Sequence, residues 1–256
     1  ARITTLEEGE RTMTVGLFDG TNLDADLLVG ADGMHSSVRR MVFDPTPATD
    51  VGIAALWGRA ELGTLDVARG ESLGYVGGGH SIVIASAGAI DDPRLLFTIC
   101  TRTAASALDR EALFAAMPGA LAPMLTSVRD VAETRLCAQR PLGCYAKGRV
   151  VLIGDAAHGM PPFLGLGANS AIEDAMLVAD AIEDDPGTLE SIGKRRAAAL
   201  DPRIAESRRM GSMMHADGTF TGGLFRVVTR LVPSALVLRQ MRAMHVRSPH
   251  ASGTEA

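Results

Sequence analysis

The residues of this chain best suited to chemistry lie within residues 148–175, where a carboxylate follows an apolar run and precedes a proline- and glycine-rich loop. Residues 150–153 are consecutive apolar residues, a composition typical of a strand buried on both faces. Gly154 allows a tight turn and leaves Asp155 at the carboxyl end of that strand, where open α/β sheets bind their ligands. The order strand, loop, helix therefore predicts a ligand site here.

The loop after Asp155 is stiff in its first half and free of side chains in its second. Pro161 and Pro162 restrict the backbone, whereas Gly165 and Gly167 allow a flat or phosphorylated molecule to approach it. The loop amides and the start of the following helix would offer donors and partial positive charge to an anion. We expect this helix to end at the breaker Asp-Pro-Gly, residues 185–187. Its apolar residues on one helical face are Ala168, Ala171, Ile172, Ala175, Met176, Val178, Ala179 and Ile182.

A second glycine turn follows a strand predicted over residues 26–30. Residues 31–39 read Ala-Asp-Gly-Met-His-Ser-Ser-Val-Arg. Either serine can cap the helix that carries the arginine. Taken alone, the pattern is compatible with any Asp-Gly turn, and the arginine with a simple pair to a nearby carboxylate.

Together the two stretches resemble the Gly-Asp and Asp-Gly motifs of the group A FAD-dependent monooxygenases, the p-hydroxybenzoate hydroxylase-like aromatic hydroxylases. The resemblance implies that Asp155 hydrogen-bonds the ribityl chain of FAD and that residues 162–169 run along the flavin ring and the pyrophosphate. It also implies roles in FAD and NAD(P)H binding for Asp32 and Arg39. Leu166 departs from the pattern, because a polar residue is expected there in many relatives. The implied cofactor-binding residues are Asp32, Gly33, Arg39, Gly154, Asp155, Pro162, Gly165, Leu166, Gly167, Ala168 and Asn169.

The activity implied by the resemblance is that of an FAD-dependent monooxygenase. In that family NAD(P)H reduces the flavin, dioxygen forms a flavin C4a-hydroperoxide, and one oxygen atom enters an aromatic or conjugated small molecule. No catalytic residue is identified, and we interpret His158 as a turn residue with backbone partners. Two alternatives remain open: an FAD-dependent reductase or halogenase on the same fold, and a non-catalytic fragment. Trp57 is the single tryptophan, which argues against the tryptophan-rich motifs of tryptophan halogenases.

Short β-like runs dominate the chain outside the two motifs. Residues 12–18 and 22–28 flank Asp19-Gly20, which predicts a hairpin. Between the motifs we predict strands over 51–57, 81–85 and 95–101, a turn over 77–79 and a helix over 109–116. In the resembled fold this part is a sheet that covers the substrate. Its polar or aromatic candidates for substrate contact are Trp57, Arg59, Tyr75, His80 and Arg102, of which we select Trp57, Tyr75 and Arg102.

We predict an α/β (α+β) fold: an incomplete Rossmann-like FAD-binding domain, an inserted β-rich substrate domain and C-terminal helices. No Gly-x-Gly-x-x-Gly occurs in the 256 residues, so we expect the chain to be the C-terminal portion of a longer flavoprotein. After the Gly-Asp motif we predict helices, kinked at Pro202 and interrupted at Pro233, with residues 194–196 on a solvated face. The predicted parts are 1–44 and 141–187 (FAD-binding domain), 45–140 (substrate-binding sheet), 188–247 (helices, the last over 224–244) and 248–256 (tail).

Composition limits the partners. A net charge of -5 and a pI near 5.7 argue against nucleic acid. The three cysteines have no metal-ligand spacing, so we expect no metal site and a reduced, cytoplasmic location. No window reaches the roughly 18 apolar residues of a membrane span. The expected partners are FAD, NAD(P)H, dioxygen and a small aromatic or conjugated substrate, and a homo-oligomer is compatible with the sequence.

Overall fold

The structure of this chain is a computed structural model that describes residues 3–9, 12–61, 63–68, 71–87, 94–104 and 108–216. The helix predicted over 224–244 and the tail predicted over 248–256 lie outside the described residues. So does the part of the predicted 188–247 segment that follows residue 216.

The chain forms two compact units. The first contains residues up to 54 together with 134–211, and the second contains residues 55–133 together with 212–216. Both glycine turns singled out in the sequence belong to the first unit.

Eleven strands in three sheets are found within the described residues. They are β1 (Ile3–Glu8), β2 (Met13–Leu17), β3 (Asn22–Ala25), β4 (Leu28–Gly30), β5 (Thr49–Glu61), β6 (Ser72–Gly77), β7 (His80–Ala87), β8 (Arg94–Arg102), β9 (Arg129–Ala138), β10 (Ala146–Lys147) and β11 (Val150–Leu152). The sheet orders are β1-β2-β3, β10-β11-β4 and β6-β7-β8-β5-β9. The chain passes from one unit to the other within β5 and within β9.

Six α-helices accompany the strands in the part of the chain that the structure describes. They are α1 (Ser37–Val42), α2 (Arg110–Ala115), α3 (Ala122–Leu125), α4 (Asp155–His158), α5 (Gly167–Asp184) and α6 (Leu189–Met214). The predicted mixed α/β class is confirmed, as are the strand at β11, the helix at α5 with its end before Pro186, and the helix at α2. Strands β1, β6, β9 and β10 and helices α3 and α4 were not predicted. None of the described helices combines the length and apolar character needed to cross a membrane.

The parallel pair of β4 and β11 places the two glycine turns side by side. Val150 pairs with Leu28 and Leu152 with Gly30, so both strands end at the same edge of the sheet. A side chain at residue 30 would require the core beside this pair to shift, because its Cβ would lie 2.6 Å from Leu152 Cδ2 and 3.0 Å from Val38 Cγ1. The Asp-Gly and Gly-Asp turns therefore leave the sheet next to each other.

The core of the first unit is built around β11. All three of its residues are buried, as predicted for a strand covered on both faces. Val38 of α1 and Leu200 of α6 belong to the same buried cluster as Leu152, together with Val15 of β2. The hairpin predicted at Asp19-Gly20 is confirmed by the antiparallel pairing of β2 with β3.

The buried face of α5 differs from the apolar face that the sequence spacing predicted. Ile172 and Met176 are 61% and 56% exposed, whereas Ser170 and Asp174 are buried. The polar residues turn inward because the Asp174 carboxylate bonds donors from three other positions of the unit. In α6 the helix continues through Pro202 to Met214.

The second unit has its hydrophobic core on one face of the five-stranded sheet. Ile82 of β7 pairs with Ile99 of β8, and both belong to the buried cluster. Leu113 of α2 and Met124 of α3 complete that cluster. The two short helices therefore cover this face of the sheet.

Candidate functional site

A cavity of about 620 Å³ lies in the first unit, at the edge of the sheet where β4 and β11 end. Its walls are the two glycine turns, the loop after α4 and the first turn of α5. The predicted cofactor-binding residues that line it are Gly33, Gly154, Asp155, Pro162, Gly165, Gly167 and Ala168. Seven of the eleven predicted cofactor-binding residues thus line one cavity. The binding role of each residue stays a prediction.

The Gly-Asp turn presents an unpaired carboxylate to this cavity. Gly154 has φ 57° and ψ -141°, a conformation that side-chain-bearing residues rarely adopt. Asp155 follows as the first residue of α4 and is exposed. Within the part of the chain that the structure describes, its carboxylate has neither a hydrogen bond nor an ion pair. It is available to accept hydrogen bonds from a ligand.

The loop after α4 leaves open space where side chains would otherwise stand. Gly165 adopts a left-handed conformation with φ 66°, and a Cβ at Gly165 or at Gly167 would meet no atom within 4 Å. The loop is anchored from behind, since Ser207 Oγ of α6 donates to the Pro161 carbonyl at 2.6 Å. A flat ligand could therefore lie directly on this backbone.

The start of α5 lies at the same cavity. No side chain caps its N-terminus, and its first turn contains no acidic residue. The amides of an uncapped first turn are donors that favour negative charge. Leu166 is buried and Asn169 exposed at this helix start, and neither lines the cavity.

Asp32, the first residue of the Asp-Gly turn, is engaged with the protein itself. Its Oδ2 accepts from the amides of Ser37 at 2.6 Å and Val38 at 3.3 Å. Ser36 caps the same helix, because its Oγ accepts from the Arg39 amide. Asp32 therefore holds the start of α1, while Gly33 beside it lines the cavity. The cofactor role implied for Asp32 stays a prediction.

Arg39 connects the two motifs from inside the core. Its guanidinium donates to the carbonyls of Ala156 at 3.2 Å and Ala157 at 2.7 Å, both in α4, and to the carbonyl of Arg140. Burial lowers its pKa from the usual range of arginine. The side chain does not line the cavity, so its contacts in this structure hold α4 in place. The cofactor role implied for Arg39 also stays a prediction.

A buried ionic cluster behind the cavity was missed in the sequence. Asp174 of α5 accepts from the Gly154 amide at 3.0 Å, from His158 Nε2 at 2.6 Å and from Arg196 Nε at 2.7 Å. Burial alone would raise the pKa of Asp174, but the hydrogen bonds from His158 and Gly154 and the charges of His158 and Arg196 lower it overall. The carboxylate therefore stays ionised.

At this cluster one interpretation of the sequence is incomplete and another is wrong. His158 has a backbone partner as expected, since its amide donates to Gly154, but its fully buried ring bonds a carboxylate. Arg196, assigned to a solvated face, is buried and contacts Asp174, Glu173 and the Ser170 carbonyl. The sequence did indicate the burial of Arg196, because this residue precedes Ala197 and follows Ile192 by four positions, on the apolar face of α6.

The residues selected for substrate contact belong to the second unit and do not share one face of its sheet. Tyr75 pairs with Ile82, whose side chain lies in the core. Trp57 follows Leu56, another core residue, and so points to the opposite face. The two are 38% and 37% exposed. Arg102 lies three residues after the core residue Ile99 in β8, so its side chain is on the face opposite the core, as is that of Trp57. Arg102 also donates to Ser212 Oγ at 3.1 Å. Trp57 and Arg102 therefore share one face of the sheet, and Tyr75 lies on the other.

A family model and two known enzymes are similar to this chain in sequence. A family model described as "FAD binding domain" matches residues 2–184. The chain is 29% identical to a 3-amino-4-hydroxybenzoate 2-monooxygenase of Streptomyces cremeus, over 82% of this chain and 55% of the relative. It is 30% identical to a 2-heptyl-3-hydroxy-4(1H)-quinolone synthase of Pseudomonas aeruginosa, over 91% of this chain and 62% of the relative. The chain thus spans little more than half the length of these relatives.

A solved structure shows the same fold. Klebsiella pneumoniae HpxO, crystallised with FAD and uric acid, superimposes with a TM-score of 0.86 at 24% identity. The superposition covers 97% of this chain and 67% of that protein.

Proposed function

Because this chain belongs to the FAD-binding domain family, we propose that the cavity at the ends of β4 and β11 binds FAD and that the protein is an FAD-dependent monooxygenase. The observation that carries the proposal is the composition of the cavity wall. One unpaired carboxylate, Asp155, lies at the same space as a glycine-lined loop and the uncapped start of α5. The relatives named as monooxygenases support the reaction type.

The residues present fit the chemistry of FAD. The cofactor combines a flat ring system, a polyhydroxyl chain and a diphosphate. Asp155 can accept from a hydroxyl group, the amides at the start of α5 can donate to an anionic oxygen, and Gly165 and Gly167 leave space for a flat ring. A volume of about 620 Å³ lies within the roughly 300–1,000 Å³ range of small-molecule sites.

Each wall of the cavity has a task in the proposed reaction. When bound, the flavin would carry electrons from NAD(P)H to dioxygen, so that one oxygen atom enters the substrate and the other leaves as water. Asp155 would orient the cofactor by accepting a hydroxyl hydrogen. Pro161 and Pro162 supply a stiff wall that excludes water, and the uncapped α5 amides stabilise negative charge beside them.

We propose an aromatic or conjugated small molecule as the substrate class. Hydroxybenzoate and quinolone occur in the names of the relatives, and HpxO was crystallised with uric acid. In this chain, Trp57 and Arg102 are the candidates on one face of the second unit's sheet. A planar anionic or carbonyl-bearing ring suits that pair, since tryptophan stacks on rings and arginine donates to oxygen.

Two measurements test the proposal. The purified 256-residue chain is incubated with FAD, desalted and examined by visible absorbance, and we expect a retained flavin spectrum. A folded chain, judged by circular dichroism, that retains no flavin would contradict the cavity assignment. Monooxygenase activity requires that NAD(P)H oxidation depend on an aromatic substrate and that ¹⁸O from ¹⁸O₂ appear in the product. NAD(P)H oxidation without label in the product would indicate a reductase instead.

The cytoplasmic location and the homo-oligomer are further parts of the proposal. The described cysteines Cys100, Cys137 and Cys144 are all free thiols, which suits a reducing compartment. Cell fractionation tests the first part, and gel filtration with light scattering tests the second.

A further inference from the structure

One buried carboxylate ties together three segments around the cavity. The Oδ2 atom of Asp174 accepts from the Gly154 amide and from His158 Nε2, and its Oδ1 atom accepts from Arg196 Nε. The side chain is 3% exposed. Gly154 immediately precedes α4, His158 is the last residue of α4, and Arg196 lies in α6.

We propose that Asp174 is a positioning residue for the cofactor site, holding the Gly154–Asp155 turn and α4 in the conformation that presents the Asp155 carboxylate. Asp174 does not line the cavity, so its effect on a ligand passes through the turn. The inference rests on the proposed binding of FAD at this cavity.

Helix α4 is too short to keep its conformation without contacts to the rest of the protein. A helix of four residues has almost no stability of its own, because helix nucleation is unfavourable and few backbone bonds form. Both ends of α4 are bonded to the same oxygen atom, Oδ2 of Asp174. That arrangement fixes the start and the end of the segment relative to one point on α5.

The conformation of Gly154 is the second argument. Glycine populates many backbone conformations, so a glycine at φ 57° and ψ -141° needs an external contact to select that state. The hydrogen bond from its amide to Asp174 supplies the contact. The direction in which Asp155 leaves the turn follows from the same dihedral angles.

The cost of burying a charge is the third argument. An ion pair in the interior is often replaceable by apolar residues without loss of stability. The neighbouring turn of α5 carries Val178 on its buried side, so an apolar residue at 174 would suit the helix face. A carboxylate there is better explained by the donors it fixes than by packing.

Arg196 makes this carboxylate rigid. Its guanidinium donates to Asp174, Glu173 and the Ser170 carbonyl, so three hydrogen bonds join α6 to α5 around the carboxylate. With His158 Nε2–H donating on the other side, each Asp174 oxygen has a partner. Asparagine cannot reproduce this arrangement, since its amide group would place a donor against the donors of His158 or Arg196.

The test compares Asp174→Asn with a matched control, Asp50→Asn. Asp50 also accepts from a glycine amide with positive φ, that of Gly52, and from an arginine, Arg135, but it does not line the cavity. Hydrogen exchange of a peptide covering residues 154–159 is measured without FAD, and the dissociation constant of FAD is measured at a temperature where all variants are folded. We expect Asp174→Asn alone to accelerate exchange in that peptide and to weaken FAD binding by about tenfold or more.

The outcomes separate this inference from the proposed function. A wild-type chain that binds no FAD refutes the proposed function, and the exchange rates of residues 154–159 then decide the positioning role alone. Unchanged exchange in Asp174→Asn overturns the inference. So does FAD binding equal to that of Asp50→Asn, even where the melting temperature falls, because a purely structural role lowers stability without changing the affinity of the folded protein.

A second pair of variants covers the case in which Asp174→Asn does not fold. His158→Gln keeps a side-chain donor for Asp174, whereas His158→Leu removes it. We expect the leucine variant to show faster exchange in residues 154–159 and weaker FAD binding, and the glutamine variant to lie closer to the wild type. Equal behaviour of the two variants would overturn the inference.

Discussion

Replacing Asp155 by alanine is expected to weaken FAD binding strongly while leaving the fold nearly unchanged. The carboxylate lines the cavity and has no hydrogen bond or ion pair among the described residues, so its removal strands no donor of the protein. Its one local contribution is a negative charge at the start of α4, worth about 0.3–1 kcal/mol. The free energy of unfolding should therefore fall by no more than about 1 kcal/mol.

The loss of affinity follows from the hydrogen bond that the carboxylate would accept. A hydrogen bond to a charged group contributes about 1.5–3 kcal/mol. At 1.4 kcal/mol for each factor of ten, this corresponds to a roughly 10- to 140-fold rise in the FAD dissociation constant. Asp155→Asn keeps a neutral acceptor, so its effect should be about tenfold or less.

The assay is a titration of each apoprotein with FAD, followed by flavin fluorescence, beside urea unfolding without FAD. The wild type and both Asp155 variants should unfold at similar urea concentrations and differ in affinity in the order Asp, Asn, Ala. An alanine variant whose dissociation constant lies within twofold of the wild type would refute the placement of the cofactor against Asp155. A large loss of stability would refute the argument that the carboxylate is unpaired.

Four further predictions follow from the same contacts. Arg39→Met should lower the free energy of unfolding in urea by about 2–6 kcal/mol, because the buried carbonyls of Ala156 and Ala157 lose their donor at a cost of about 1–3 kcal/mol each; a loss below about 1 kcal/mol would contradict this role. Gly167→Ala should keep the thermal midpoint and raise the FAD dissociation constant, since its Cβ would stand in open space; unchanged affinity would place the ligand elsewhere. The pKa of Asp174 is lowered in the folded state, so its stabilising contribution is complete above the unfolded value of about 3.9 and is lost as pH falls below it. Urea unfolding between pH 5 and pH 3 should therefore show a steeper acid loss for the wild type than for Asp174→Asn. Burial raises the pKa of Cys100 to about 11, so a disulfide reagent at pH 8 should label it only after unfolding.

The backbone parts of the site could be predicted from the sequence. A strand that ends in a glycine, a loop stiffened by prolines and a helix that starts at a glycine leave marks in residue type and spacing. Those marks were sufficient to predict β11, α5 and the cavity-lining Gly154, Gly165 and Gly167. The prediction worked because these residues act through the conformations and the space that they allow.

The side-chain partners could not be predicted in the same way. Asp174 and Arg196 are 22 residues apart, and only the packing of α5 against α6 brings them within 2.7 Å. Helical periodicity places Ile172 and Met176 on one apolar face and predicts that this face is buried. It contains no information about the Asp174–Arg196 ion pair, which buries the neighbouring face instead. Tyr75 and Trp57 were grouped by residue type, whereas the strand register separates them onto two faces.

Three aspartates near the cavity differ in the hydrogen-bond partners of their carboxylates, a difference that residue type alone does not reveal. Asp32 is occupied by two amides at the start of α1, and Asp174 is occupied by an amide, an imidazole and a guanidinium. Asp155 alone lines the cavity and keeps its oxygens unpaired within the described residues. A carboxylate whose hydrogen-bonding capacity is already used can hold the protein, whereas an unused one can hold a ligand. The contacts of the first two lie within the protein, and Asp155 is the carboxylate that we propose binds hydroxyl groups of FAD.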